Sequence, residues 1–174
     1  MTTYDAAKIQ DFAAKCLDGS LSTKARGDAL EDLVCYLLGE LPGVRAEPNV
    51  IDRSQSCEID VIVFNCQHGW MSQYPKLFFV ECKNWGKAVD SKALRDFATK
   101  MDYRSVEAGV LVSTNGITGD SDDLTAAHQV IAMEQGKKRR IVLVTLDQLK
   151  ALTTTSELED LLLKCLLATV GLIR

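Results

Sequence analysis

Leu77-Phe78-Phe79-Val80-Glu81-Cys82-Lys83-Asn84-Trp85 decides how this chain is read. Its first half is an apolar, β-favouring run of the kind that fills a buried strand. Its second half places an acid and an amine two residues apart. Alternate side chains of a strand share a face, so Glu81 and Lys83 point one way and Cys82 the other. A carboxylate and an ammonium emerging from the end of an apolar strand are costly unless something uses them. A divalent metal and a phosphate are the expected users.

The flanking sequence builds an α/β order around this strand. Ile9, Phe12, Ala13 and Leu17 give a helix over residues 4–18, stopped at Gly19. Ser22 or Thr23 caps a second helix running to about Leu41, where Pro42-Gly43 ends it. Its stripe is Leu30, Leu33, Val34, Leu37, Leu38 and Leu41, and Glu31 lies beside that stripe. Residues 44–51 read as a strand weakened by Pro48. Glu58 to Phe64 reads as the next, with Glu58 and Asp60 on one face. A loop over residues 65–76 joins it to the opening stretch as an antiparallel hairpin. Ser91 begins a helix bearing Leu94, Phe97, Ala98 and Met101. Ala108 to Ser113 is an unbroken apolar strand, expected to be buried on both faces. A helix from Ser121 to Gln135, a strand from Ile141 to Thr145, a short helix capped by Asp147 and a last helix from Ser156 to about residue 171 complete the chain. The alternating later part predicts parallel strands with right-handed crossovers.

Composition sets limits. The 174 residues suit one domain over 1–174, with 47% hydrophobic and 25% charged residues as in ordinary globular proteins. The N-terminal residues read as no signal peptide, and the apolar C-terminal run is too short to span a bilayer, so a cytoplasmic protein without a membrane partner is expected. The net charge of -4 excludes chain-wide attraction to nucleic acid but leaves room for a local basic groove. The six cysteines show no zinc-ligand spacing and read as free thiols.

Glu-x-Lys alone says little: nine Glu and twelve Lys give about 0.6 such pairs by chance. Asp90-Ser91-Lys92 has a related form but sits where a helix N-cap is expected. Glu81 and Lys83 stand out because Asp60 lies on the neighbouring strand and Glu31 on a preceding helix. Mg²⁺ takes hard oxygen ligands, commonly one or two carboxylates with water and phosphate oxygens. Asp60, Glu81 and the Cys82 backbone carbonyl are the candidate set, with Glu31 for a second metal or a metal-bound water. Lys83 is placed to orient the attacking water, or help deprotonate it, and to offset charge on the phosphate.

These residues resemble the PD-(D/E)xK nuclease superfamily, in the restriction-endonuclease-like branch typified by Mrr. The likeness covers about residues 24–146. It rests on Glu31, Glu58-Ile59-Asp60, Val80-Glu81-Cys82-Lys83-Asn84-Trp85, Leu94-Arg95-Asp96-Phe97 and the run from Gly109 to Thr118. Ile59 stands where the superfamily pattern has proline. The resemblance implies an αβββαβ core with a five-stranded mixed sheet flanked by helices. It implies a DNA endonuclease dependent on Mg²⁺ or Mn²⁺, acting in restriction or defence, with Asp60, Glu81 and Lys83 as signature residues. The same core also serves resolvases and repair nucleases. A nucleic-acid-binding or assembly module with a vestigial site is the non-enzymatic alternative.

Other positions stay open between two roles. Glu58 is a further metal or water ligand, or a solvated strand-start residue, or a partner of Arg53. Asn84 and Trp85 meet the DNA backbone, or close the strand. Lys87, Lys92, Arg95, Lys100 and Arg104 form a phosphate-contacting row, or a solvated face. The basic run Lys137 to Arg140 reads as an exposed connection, and His68 as loop surface. Cutting two strands suggests a homodimer, and the lack of an evident specificity segment suggests either loose DNA recognition or a sensing or specificity domain or partner protein. The leucine-rich last helix closes the core or forms a dimer face.

Overall fold

The computed structural model describes residues 2–51, 58–116 and 121–169, with the backbone alone at Trp70 and over residues 121–125. Two helices open the chain. Asp5 caps α1 (Ala6–Leu17) by accepting from the N–H groups of Ala7 and Lys8, and Ser22 caps α2 (Thr23–Gly39). Leu41 falls just outside α2 but stays buried. Strands β1 (Val44–Ile51), β2 (Glu58–Asn65) and β3 (Leu77–Lys83) pair antiparallel in sequence order. Helix α3 (Ser91–Tyr103), capped by Asp90, crosses to β4 (Ala108–Ser113), which pairs parallel to β3. Helix α4 (Ser121–Gly136) crosses to β5 (Arg140–Thr145), parallel to β4. The short α5 (Leu146–Lys150) and then α6 (Thr155–Thr169) follow. The result is a five-stranded mixed sheet, as the sequence predicts, with strand order β1-β2-β3-β4-β5.

Alternation along the strands divides the core in two. Val61, Val63, Phe78, Val80, Val110, Val112, Val142 and Val144 face α1, α2, α5 and α6. Phe79, Leu111 and Ile141 face α3 and α4. β4 is buried along its whole length, as its unbroken apolar run predicts. Leu158, Leu162 and Leu166 of α6 belong to the first cluster, so this helix closes the core. On the other face α3 lies very close to β4. A Cβ on Gly109 would come within 2.5 Å of Phe97 Cζ and 2.8 Å of Met101 Sδ. Only glycine permits that approach, and it sets how deeply α3 sits.

Some details differ from the expectations. Thr145, not Asp147, caps α5: its hydroxyl accepts from Gln148 N–H while the Gln148 side chain accepts from Thr145 N–H. Asp147 lies in the first turn. The last helix begins at Thr155 rather than Ser156. The hairpin loop holds a 3-10 turn, Gly69–Gln73. It is tied down by the buried Asn65, whose Nδ2 donates to the Met71, Tyr74 and Pro75 carbonyls. Arg53 and Ile117-Thr118 lie outside the described residues. Among the described residues, no helix is long and apolar enough to cross a membrane.

Candidate active site

The antiparallel β2–β3 ladder ends at Val61↔Val80. One residue beyond, the Asp60 side chain takes the place of a backbone carbonyl. Its Oδ2 accepts from the Cys82 N–H at 2.7 Å. This bond joins the two strand segments that carry the acids. The Cys82 side chain packs into the cluster on the opposite face, as alternation requires.

Glu81 is the most enclosed member, with 3% of its side chain exposed. Lys83 Nζ donates to its Oε1 at 2.6 Å, so acid and amine do share a face. A second ammonium joins them from α3: Lys100 Nζ lies 2.8 Å from Oε1 and 2.7 Å from Oε2. The sequence places Lys100 in an outward row of cations, and the structure turns it inward. Ala93, Phe97 and Lys100 run along one edge of the helix, and the first two are buried. That spacing was the available sign that Lys100 borders the core while Lys92 and Arg95 do not.

Glu31 comes from α2. Its Oε2 is buried and has no hydrogen-bond partner. Burial, then the charges of Asp60, Asp28 and Glu58, push its carboxyl up to about 7, against a hydrogen bond from Asn49. Burial and Glu81 also raise Asp60, against the pull of Cys82 N–H, Lys83 and Lys100. Burial and the charges of Asp60 and Glu31 raise the Cys82 thiol as well. At Lys83, burial works to lower the ammonium, but the charge and hydrogen bond of Glu81 outweigh it and the net direction is up. Lys83 is therefore a cation at neutral pH.

The donor set divides unevenly. Glu81 has two ammonium partners, while Glu31 and Asp60 remain short of positive charge. Hard carboxylate oxygens, one of them orphaned and buried, fit a divalent cation that prefers oxygen ligands. Among the described residues, however, no three His, Cys, Asp or Glu side chains form a ready-made metal cluster.

The flanking residues have structural partners. Asn84 Nδ2 donates to the carbonyls of Cys16 (2.9 Å) and Arg26 (2.8 Å), tying the end of α1 and the start of α2 to the exit of β3. Trp85 packs against the α3–α4 cluster, with Lys83 Nζ and Lys87 Nζ 5.6 and 5.9 Å from its ring centroid. Its carbonyl accepts from Thr114 and Asn115. Lys87, Lys92 and Arg95 are exposed; Lys87 pairs with Asp90, Lys92 with Asp96, and Arg95 donates to Ser91 Oγ. Glu58 is exposed at the start of β2 and is close enough to Glu31 to raise it.

Residues 23–153 match the restriction endonuclease family defined by the Mrr catalytic domain. The chain belongs to the Mrr-type restriction endonuclease family. The matched segment of this Mrr-type domain runs from the first residue of α2 to just before α6. It contains the whole sheet and every residue that meets at Glu81. Comparison with curated proteins finds no match.

Proposed function

We propose that this domain cuts DNA by hydrolysing phosphodiester bonds at the C-terminal end of β3, with Mg²⁺ or Mn²⁺ as cofactor. The carrying observation is the joint placement of Asp60 and Glu81. The Cys82 N–H fixes the first and Lys83 the second. Asp60, Glu81 and the Cys82 carbonyl would hold the metal, with Glu31 beside them for a second ion or a bound water. The bound metal would polarise the scissile phosphate and acidify a water.

The chain's own groups supply the rest. Lys83, kept protonated by Glu81, donates to the attacking water or a phosphate oxygen and offsets the charge that builds there. Its role is that of a donor rather than a base. Glu31 is half-buried with a carboxyl near 7, so it is a group in the site suited to accept a proton around neutral pH. Lys87, Lys92 and Arg95 are exposed and would supply phosphate contacts, with Asn84, Trp85 and Glu58 shaping the approach. Restriction or defence is the biological role that goes with this activity, and paired cutting would use a homodimer.

Supercoiled plasmid incubated with Mg²⁺ should be nicked or linearised, and excess chelator should abolish the reaction. Cutting that continues in chelator would refute the proposal. Running branched and linear DNA side by side distinguishes a resolvase or repair nuclease from a restriction-type enzyme. One observation favours a second reading, a nucleic-acid-binding module with a vestigial site: both Glu81 oxygens are already held by lysines. That reading predicts no heat of Mg²⁺ or Mn²⁺ binding even with DNA present.

A further inference from the structure

Two ammonium groups on one enclosed carboxylate are more than its neutralisation needs. Lys83 and Lys100 share Glu81 Oε1, and Lys100 alone also reaches Oε2. Lys83 is fixed by its place on the same strand, two residues from Glu81. Lys100 arrives from a different element, on a helix held close to the sheet by Gly109.

We infer that Lys100 is a counter-cation that holds Glu81 in the metal-free protein and is displaced when a divalent cation binds Glu81. This rests on the metal-dependent reading of the site. The argument is one of charge and space. A metal bound to either Glu81 oxygen would stand within a few ångströms of the Lys100 ammonium, beside a side chain only 3% exposed. Three cations crowded on one carboxylate, that close and that poorly screened, repel strongly, so binding of the metal favours departure of one ammonium. Lys100 is the partner able to leave: it reaches Glu81 from a separate helix, is about as exposed as Lys83 (24% against 20%), and has a long flexible stem that can carry the ammonium towards solvent. Lys100 is therefore a positioning residue acting through Glu81. It keeps the carboxylate ordered without metal, and it weakens metal binding by competing for the same oxygens.

The test is Mn²⁺ binding to the full chain without DNA, measured by calorimetry on wild type, Lys100→Met and Lys100→Arg, with circular dichroism to check folding. Lys100→Met should bind Mn²⁺ about tenfold more tightly than wild type, and Lys100→Arg should stay close to wild type. If Lys100→Met does not fold, Lys100→Gln gives the same comparison. Equal or weaker binding in the neutral variants, with wild type still binding Mn²⁺, overturns the counter-cation role and leaves the proposed nuclease function standing. Failure of wild type and variants alike to bind Mn²⁺ overturns the counter-cation role, and failure that persists when DNA is added overturns the proposed nuclease function as well.

Discussion

The Asp60 carboxylate accepts the Cys82 backbone N–H at 2.7 Å, so one of the two acids on the paired strands is positioned by the other's neighbour. The bond serves both structure and chemistry, and two substitutions separate these. Asp60→Asn keeps an acceptor and removes a charge that burial and Glu81 disfavour. It should leave stability equal to or above wild type while abolishing cleavage. Asp60→Ala also leaves the Cys82 N–H without its acceptor, and should be less stable than Asp60→Asn by about 1 kcal/mol. Urea unfolding of the two variants checks the difference.

Glu31 makes stability depend on pH. Its folded carboxyl is raised to about 7, above the ordinary carboxylate value. A raised acid contributes stability that is fully present below its unfolded pKa and is lost as pH rises through the folded one. The metal-free protein should therefore lose stability between about pH 4.5 and 7, with Asp60 acting in the same direction. After discounting for partial exposure, the Glu31 share is on the order of 1 kcal/mol. Glu31→Gln should flatten the profile and be the more stable protein at pH 8. Urea midpoints in chelator across this range test it; a profile unchanged by the substitution would contradict it.

Gly109 fixes the depth of α3 and so the reach of Lys100 to Glu81. Gly109→Ala forces a methyl against the fully buried Phe97 and Met101, and should cost about 1–3 kcal/mol. Thermal unfolding measures this, and a neutral result would show that α3 can shift outward freely.

Asn84 should behave as a tie. Asn84→Ala removes two hydrogen bonds to the α1 and α2 backbone and should destabilise by about 1–3 kcal/mol. By contrast, Lys92→Ala with Arg95→Ala should leave stability nearly unchanged and reduce the salt dependence of DNA binding by about one unit of slope per lost phosphate contact. Binding titrations at several salt concentrations separate the two cases.

Much of this was legible in the sequence because strand periodicity and burial agree. The apolar runs at β3, β4 and β5 could be nothing but strands, and the two-residue spacing put Glu81 with Lys83 and Glu58 with Asp60. Caps were less legible, since Thr145 and Asp147 are both good cap residues and only the reciprocal bond to Gln148 decides. Lys100 was misplaced for a physical reason. A lysine at the edge of a helical stripe extends either to solvent or along the core, and the choice depends on a carboxylate 19 residues away on another element. Asn84 was ambiguous in the same way, because its two acceptors are distant backbone carbonyls.

The most direct test of the β3 end as the reaction centre is single-turnover cleavage of supercoiled plasmid in saturating Mn²⁺ by wild type and Lys83→Ala. The account predicts cleavage by wild type and a loss of about a hundredfold or more in Lys83→Ala, with the variant still folded. Undiminished cutting by folded Lys83→Ala would contradict it.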